Sequence, residues 1–265
     1  MGIHSLAKIH SSAIVQDGAS IDEGCIVGPF CTVSEGVKLA QRVHLKSHVV
    51  VTGNTEVGDD TVVFPFAVIG EIPQDLKFKG EESRLVIGKR NRIREGVTIN
   101  LGTDGGGGVT KVGDDCLFMT GSHVGHDVVV GDRVVMANQA ALAGHCIICD
   151  DVIIGGLSGI HQFVRIGKGA IIGAVTMVTN DVIPYGLVQA RRGELDGLNL
   201  VGLKRRGVAR SDITALRAAY QALAQGEGAF QERARRLADE TESEYVKEVV
   251  GFILAGSDRS FLTPS

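Results

Sequence analysis

The sequence holds no tryptophan, only 3 tyrosines and only 5 prolines among 265 residues. A core built on large aromatic anchors is therefore excluded, and small or branched aliphatic side chains must fill the interior. No run approaches the roughly 18 apolar residues of a transmembrane helix, and the first ten residues lack the apolar centre of a signal peptide. The expected protein is soluble and cytoplasmic, without a transmembrane segment. The 5 cysteines are an odd number, which argues against a disulfide framework in such a chain. Cys146 and Cys149 form a C-x-x-C with no second pair to complete a zinc site, so both are expected to pack in the core. Charge of one sign is also scarce: the net charge of −4 gives no global reason to expect nucleic acid.

What is abundant is glycine, 36 residues of it, and an aliphatic side chain at every sixth position. The series runs from Ile9 through Val15, Ile21, Val27, Val33, Leu39, Leu45, Val51, Val57 and Val63 to Ile69. It resumes in phase at Ile87, Ile93 and Ile99, slips by one residue, then continues from Val112 to Val178. Four residues after each member stands a small or β-branched residue, as at Ala19, Cys25, Ala67, Ala140 and Ser158. Neither a helix nor an ordinary strand has a period of six. A triangular coil of three short strands does, with about 18 residues per turn and successive turns about 4.8 Å apart. The predicted fold is an all-β left-handed parallel β-helix over residues 1–186, followed by a linker and a helical domain over 187–265. Two excursions interrupt the coil, at 71–86 and 101–111, and loops thrown out of a regular stack are common places for function. The four glycines in the second make no phosphate loop, because no Gly-Lys-Ser/Thr follows. Helices are expected at about 211–225, capped by Ser211, then at 229–239 and 243–255.

The coil length also sorts the histidines. Positions one full turn apart lie above one another, so His126, Gly144 and Gln162 stack, with His145 and His161 one residue away on the same corner and His123 close by. Convergence of four of the 8 histidines on one edge points to chemistry rather than to chance exposure. Asp127 can hold the His126 imidazole in one tautomer, as a general base requires. The Gly144 N–H is a candidate oxyanion donor.

These same residues carry a resemblance. Gly121-Ser-His-Val-Gly-His-Asp127, Leu142-Ala-Gly-His145, Ile160-His-Gln-Phe163 and Gly202-Leu-Lys-Arg-Arg-Gly207 resemble the UDP-N-acetylglucosamine acyltransferases of lipid A biosynthesis. So do Lys46-Ser-His48, Gln74-Asp-Leu-Lys77 and Asn91-Arg-Ile-Arg-Glu95, and the similarity spans the chain. The resemblance implies a homotrimer that moves an (R)-3-hydroxyacyl chain from acyl carrier protein to the glucosamine 3-OH, with no metal or organic cofactor. It implies His126 as general base, Asp127 as its orienting carboxylate and Gly144 N–H as oxyanion donor. Asp75, Lys77, His123, His145, His161 and Gln162 would line the sugar and acyl site, with Lys77 reaching over from an adjacent subunit. Asn199 and Arg205 would bind the nucleotide, and Ala174 would set acyl length. A basic patch including Arg165, Lys168, Arg191, Arg192, Lys204 and Arg206 would steer the acidic carrier protein. Two other readings share the fold: an acyltransferase acting on another nucleotide sugar, a 3-amino one included, and a metal enzyme of the γ-carbonic-anhydrase kind. The latter needs three imidazoles on one zinc ion.

Overall fold

The computed structural model describes residues 2–189, 197–225 and 227–255. The chain divides into two compact units, Met1–Ala190 and Arg191–Ser265.

The first unit is a left-handed parallel β-helix. Its 27 strands fall into three parallel sheets of 10, 9 and 8 strands, in which each strand pairs with those three before and three after it, except that the last pairs with the strand two before it. That is nine turns of a three-sided coil. Lys8 pairs with Ile26 and Ile14 with Thr32, so one turn is three hexads, as the sequence period requires. From Ile21 to Val178 every aliphatic residue of the six-residue series is buried, and together they form a single core column. Ile9 and Val15 of the first coil are only partly covered.

The corners explain the second rule of the repeat. The residue three after most interior aliphatics takes the left-handed conformation, and 16 non-glycine residues of the coil have φ between 56° and 67°. The reversal turns the next side chain back inside, where the room suits Ala19, Cys25, Cys31, Ala67 or Ala140, all buried. A larger residue at one such position, Asn91, has its amide satisfied: Nδ2 donates to Gly113 O and Oδ1 accepts from Cys116 N.

The excursions are shorter than the sequence suggests. Arg84–Ile87 and Val109–Val112 are already strands, so the loops span 72–83 and 101–108. Their polar residues mask the period, but both strands pair along their full length with each other, and the first does so with the coil before it. Across the first excursion Val62 pairs with Arg92, so this turn is longer by two whole hexads and the phase is kept. Across the second Arg92 pairs with Leu117, which lengthens the turn by one hexad and a single extra position, the source of the slip. The last coil is shortened, since Ile171 pairs with Leu187.

In the second unit the described residues form four helices: α1 (Leu200–Arg205), α2 (Arg210–Gln225), α3 (Phe230–Glu240) and α4 (Glu244–Leu254). The last three follow the expected segments. Helix α2 starts at Arg210, which puts Ser211 inside the first turn instead of at the cap. Its buried stripe is Ile213, Leu216, Ala219 and Leu223, and Val246 and Val250 of α4 pack in the same cluster as the first three. Helix α1 is too short for a periodic signal, and Asn199 caps it by accepting from Gly202 N at 2.9 Å. Among the described residues no helix is long and apolar enough to cross a membrane.

Candidate active site

The stacking of one corner assembles the site. Asp127, His145 and Phe163 occupy successive left-handed corner positions, while His126, Gly144 and Gln162 precede them. His126 Nδ1 lies 2.7 Å from Asp127 Oδ2. A carboxylate only accepts, so Nδ1 is the donating nitrogen, and in the neutral ring the lone pair then sits on Nε2. The side chain of Asp127 is 1% exposed and that of His126 10%. Gly144 presses on the imidazole: a Cβ there would stand 2.5 Å from His126 Cε1. Among the described residues no acceptor takes up the Gly144 N–H.

His145 meets the His126 ring edge-on at 4.9 Å and stacks on Phe163 at 4.5 Å and 9°. Burial pushes its pKa down, against the pull of Asp127. Burial also lowers His123, whose Nδ1 is 2.7 Å from Thr98 Oγ1, with the neighbouring His126 acting in the same direction. Both rings are thus held towards the neutral form. Asp75 is held below the usual carboxylate range, first by the Lys77 N–H donated at 2.9 Å and then by Lys77, His126 and His145.

These groups surround a cavity of about 690 Å³ lined by Gln74, Asp75, Lys77, His123, His126, Gly144, His161 and Gln162. An adjoining cavity of about 510 Å³ shares Asp75 and Lys77 and adds His145 and Phe163. Within one chain Lys77 lines the same cavity as the histidines. The excursion that carries it is pinned at its root, since Asn100 Nδ2 donates to Ile72 O at 3.0 Å and to Glu71 O at 3.3 Å.

Several residues that matter here left no signal in the repeat. Thr103, from the glycine-rich excursion, donates its N–H to Asp127 Oδ1 at 2.8 Å and its hydroxyl to Oδ2 at 2.6 Å. Thr110 Oγ1 accepts the Asp127 N–H at 2.8 Å. Gly106 lies so close to the carboxylate that a Cβ there would collide with Asp127 Cγ, which accounts for one of the four glycines. Met177 lines the larger cavity, whereas Ala174 is exposed and is not part of its lining.

Other expected residues are placed differently. Arg165 is paired with Asp181 at 2.5 Å and Lys168 with Asp151 at 3.8 Å, so part of the basic patch is neutralised. Lys204, Arg210 and Arg217 line a cavity of about 510 Å³ in the helical unit, and Arg205 and Arg206 are exposed there. Arg191 and Arg192 lie outside the described residues. Cys146 is core, its thiol pushed up to about 11 by burial, but Cys149 is half-buried on the outer side of the coil.

Atoms of His126, Asp127 and His145 come within 4.8 Å of one another, close enough to suggest a metal site. The carboxylate already accepts two hydrogen bonds from Thr103 and one from His126. Ligation would have to break that set, and no third imidazole belongs to the group among the described residues.

Comparison with known proteins agrees with this arrangement. The profile described as UDP N-acetylglucosamine O-acyltransferase, domain 2, matches residues 181–262, and that of the bacterial transferase hexapeptide (six repeats) matches 110–144. The acyl-[acyl-carrier-protein]–UDP-N-acetylglucosamine O-acyltransferase of Paracoccus denitrificans is 66% identical over 203 residues, 77% of each chain. The Rhizobium etli enzyme of that name is 47% identical, covering 84% of this chain and 82% of its own. Among solved structures, UDP-N-acetylglucosamine acyltransferase from Campylobacter jejuni superposes with a TM-score of 0.67 at 37% identity, over 93% of this chain and 96% of its own. On this similarity, which runs through both the coil and the helical unit, this chain belongs to the UDP-N-acetylglucosamine O-acyltransferase family.

Proposed function

We propose that this protein transfers an (R)-3-hydroxyacyl chain from acyl carrier protein to the glucosamine 3-OH of UDP-N-acetylglucosamine, the first step of lipid A biosynthesis. The observation that carries the mechanism is the 2.7 Å contact of His126 Nδ1 with an enclosed Asp127 carboxylate, beside a free Gly144 N–H. A sugar hydroxyl is a poor nucleophile until a base takes its proton. Nε2 of His126 removes that proton as the oxygen attacks the thioester carbonyl, and Asp127 stabilises the imidazolium formed. The carbonyl oxygen becomes an oxyanion that the Gly144 N–H meets. Collapse breaks the C–S bond, and the imidazolium returns the proton to the departing carrier-protein sulfur. The products are an ester and a free thiol.

His123, His145, His161, Gln162, Asp75 and Lys77 form the walls that orient sugar and acyl chain. Met177 and Ala174 lie along the direction in which an acyl chain would run towards the last coils. Asn199 and Arg205 hold the nucleotide, Arg205 because its permanently charged planar donor fork suits a diphosphate. Lys204 and Arg206 attract the acidic carrier protein, and Arg165 and Lys168 contribute less because of their acidic partners. The working form is a homotrimer in the cytoplasm.

The test is an assay of the purified protein with UDP-N-acetylglucosamine and a panel of acyl carrier protein thioesters. His126→Ala should lower kcat about 10²- to 10⁴-fold while leaving the oligomer seen by light scattering intact. Full activity in that variant removes His126 as the base. Neutralising Lys204 and Arg206 together should raise KM for the thioester, with the effect shrinking as salt is added; an unchanged KM defeats that role.

A further inference from the structure

The glycine-rich excursion reaches the chemistry through Thr103. This residue is 6% exposed, in an extended conformation with φ −123° and ψ 157°. Its carbonyl accepts the N–H groups of Gly106 and Gly108 at 3.0 and 2.7 Å, so the loop is folded around it. Its own N–H and hydroxyl both point to Asp127, one to each carboxylate oxygen. Oδ2 is therefore shared between two donors, the Thr103 hydroxyl at 2.6 Å and His126 Nδ1 at 2.7 Å.

Sharing has a chemical consequence. Every donor to a carboxylate spreads its negative charge and leaves less for the next partner. A lone Asp127 would hold the imidazolium tightly and keep the base protonated to higher pH. We propose that Thr103 is a positioning residue for acyl transfer: its hydroxyl competes with His126 for Asp127 Oδ2 and so sets the pH above which His126 is free to act as base. This rests on the function proposed above. The other charged or titratable groups around the pair are His145, with Nδ1 3.8 Å from Oδ2, and His123, Asp75 and Lys77. None of them donates to Oδ2 within hydrogen-bond distance, so the hydroxyl can be removed alone.

Thr103→Val keeps the branched shape and the backbone N–H, and the extended backbone here suits valine. Thr103→Ser keeps the hydroxyl. With kcat and kcat/KM followed against pH, Thr103→Val should move the acidic limb up by roughly half to one pH unit. Its plateau kcat and its KM should each change less than about threefold, and Thr103→Ser should restore the limb. An acidic limb that stays in place in Thr103→Val, or a Thr103→Ser enzyme that behaves like it, overturns the proposal. If Thr103→Val and the smaller Thr103→Ala both fail to fold while Thr103→Ser folds, the hydroxyl is structural and the proposal also falls. Should the wild-type protein not acylate UDP-N-acetylglucosamine, the functional reading fails. NMR titration of the His126 ring in wild type and Thr103→Val then still decides whether the hydroxyl tunes it.

Discussion

At the scale of single residues, two glycines are as specific as the histidines. Gly144 touches the imidazole ring, and a methyl group there would stand 2.6 Å from Nε2, the atom that takes the proton. Gly144→Ala should therefore lower kcat by about 10²- to 10³-fold by displacing the ring or the oxyanion donor, with thermal stability reduced far less than activity. Gly106 is constrained in the same way, by the Asp127 carboxylate instead of the ring. His126, Asp127 and Gly144 could be read from the sequence because a fixed coil length turns spacing into position. Thr103 could not, because it sits in an insertion outside that arithmetic. Met177 is a further case: the period puts it on a coil, but only the structure shows that its side chain lines the cavity.

At the scale of elements, the corner that follows the 8-stranded sheet carries a column of alternating charge. Arg42 pairs with Asp60 at 2.7 Å, Arg90 with Asp115 at 2.7 Å and Arg133 with Asp151 at 2.6 Å. The column looks strong, yet its side chains are about half exposed, 49% and 39% in the last pair. Water and salt screen such pairs, so Arg133→Ala should leave the denaturant midpoint almost unchanged. Asn91 is the contrast. Fully buried, it bridges to Gly113 and Cys116 on the far side of the second excursion and so ties the coils before and after that loop together. Asn91→Ala leaves those two backbone groups unpaired and should cost about 2 to 6 kcal/mol in the same measurement, near 1 to 3 for each. The elements of the coil were legible because strand, corner and interior recur. The short helix α1 and the strands Arg84–Ile87 and Val109–Val112 were not, since each is too brief or too polar to carry a period of its own.

For the whole molecule, acid should act in one direction. Burial lowers His44, His123 and His145, so the unfolded chain binds more protons than the folded one as pH falls through the usual histidine range. Stability contributed by keeping these rings neutral is present at pH 7 and is lost as pH falls below the ordinary histidine pKa of about 6.5. Asp59, Asp60, Asp115, Asp151 and Asp181, all lowered by cationic partners, add a second loss below about pH 4. Thermal melts against pH should fall in both windows, and a flat profile from pH 7 to 5.5 would remove the histidine contribution. A coil touches only its neighbours, so the first one has a neighbour on one side alone, and its interior residues Ile9 and Val15 are only partly buried.

The left-handed corners separate two kinds of information. Interior positions accept only a narrow choice of aliphatic and small residues, because the column is filled. The corner residues Asp127, His145 and Phe163, like Arg133, Gln139 and Leu157 on the other two edges, share one backbone conformation whatever their chemistry. Each is a peg on a fixed pitch, and exchanging one side chain for another leaves the hole it stands in unchanged. A lineage can therefore rewrite its catalytic edge one peg at a time without renegotiating the core, and can hang a loop such as 101–108 between two pegs to supply whatever hydrogen bond the edge itself lacks.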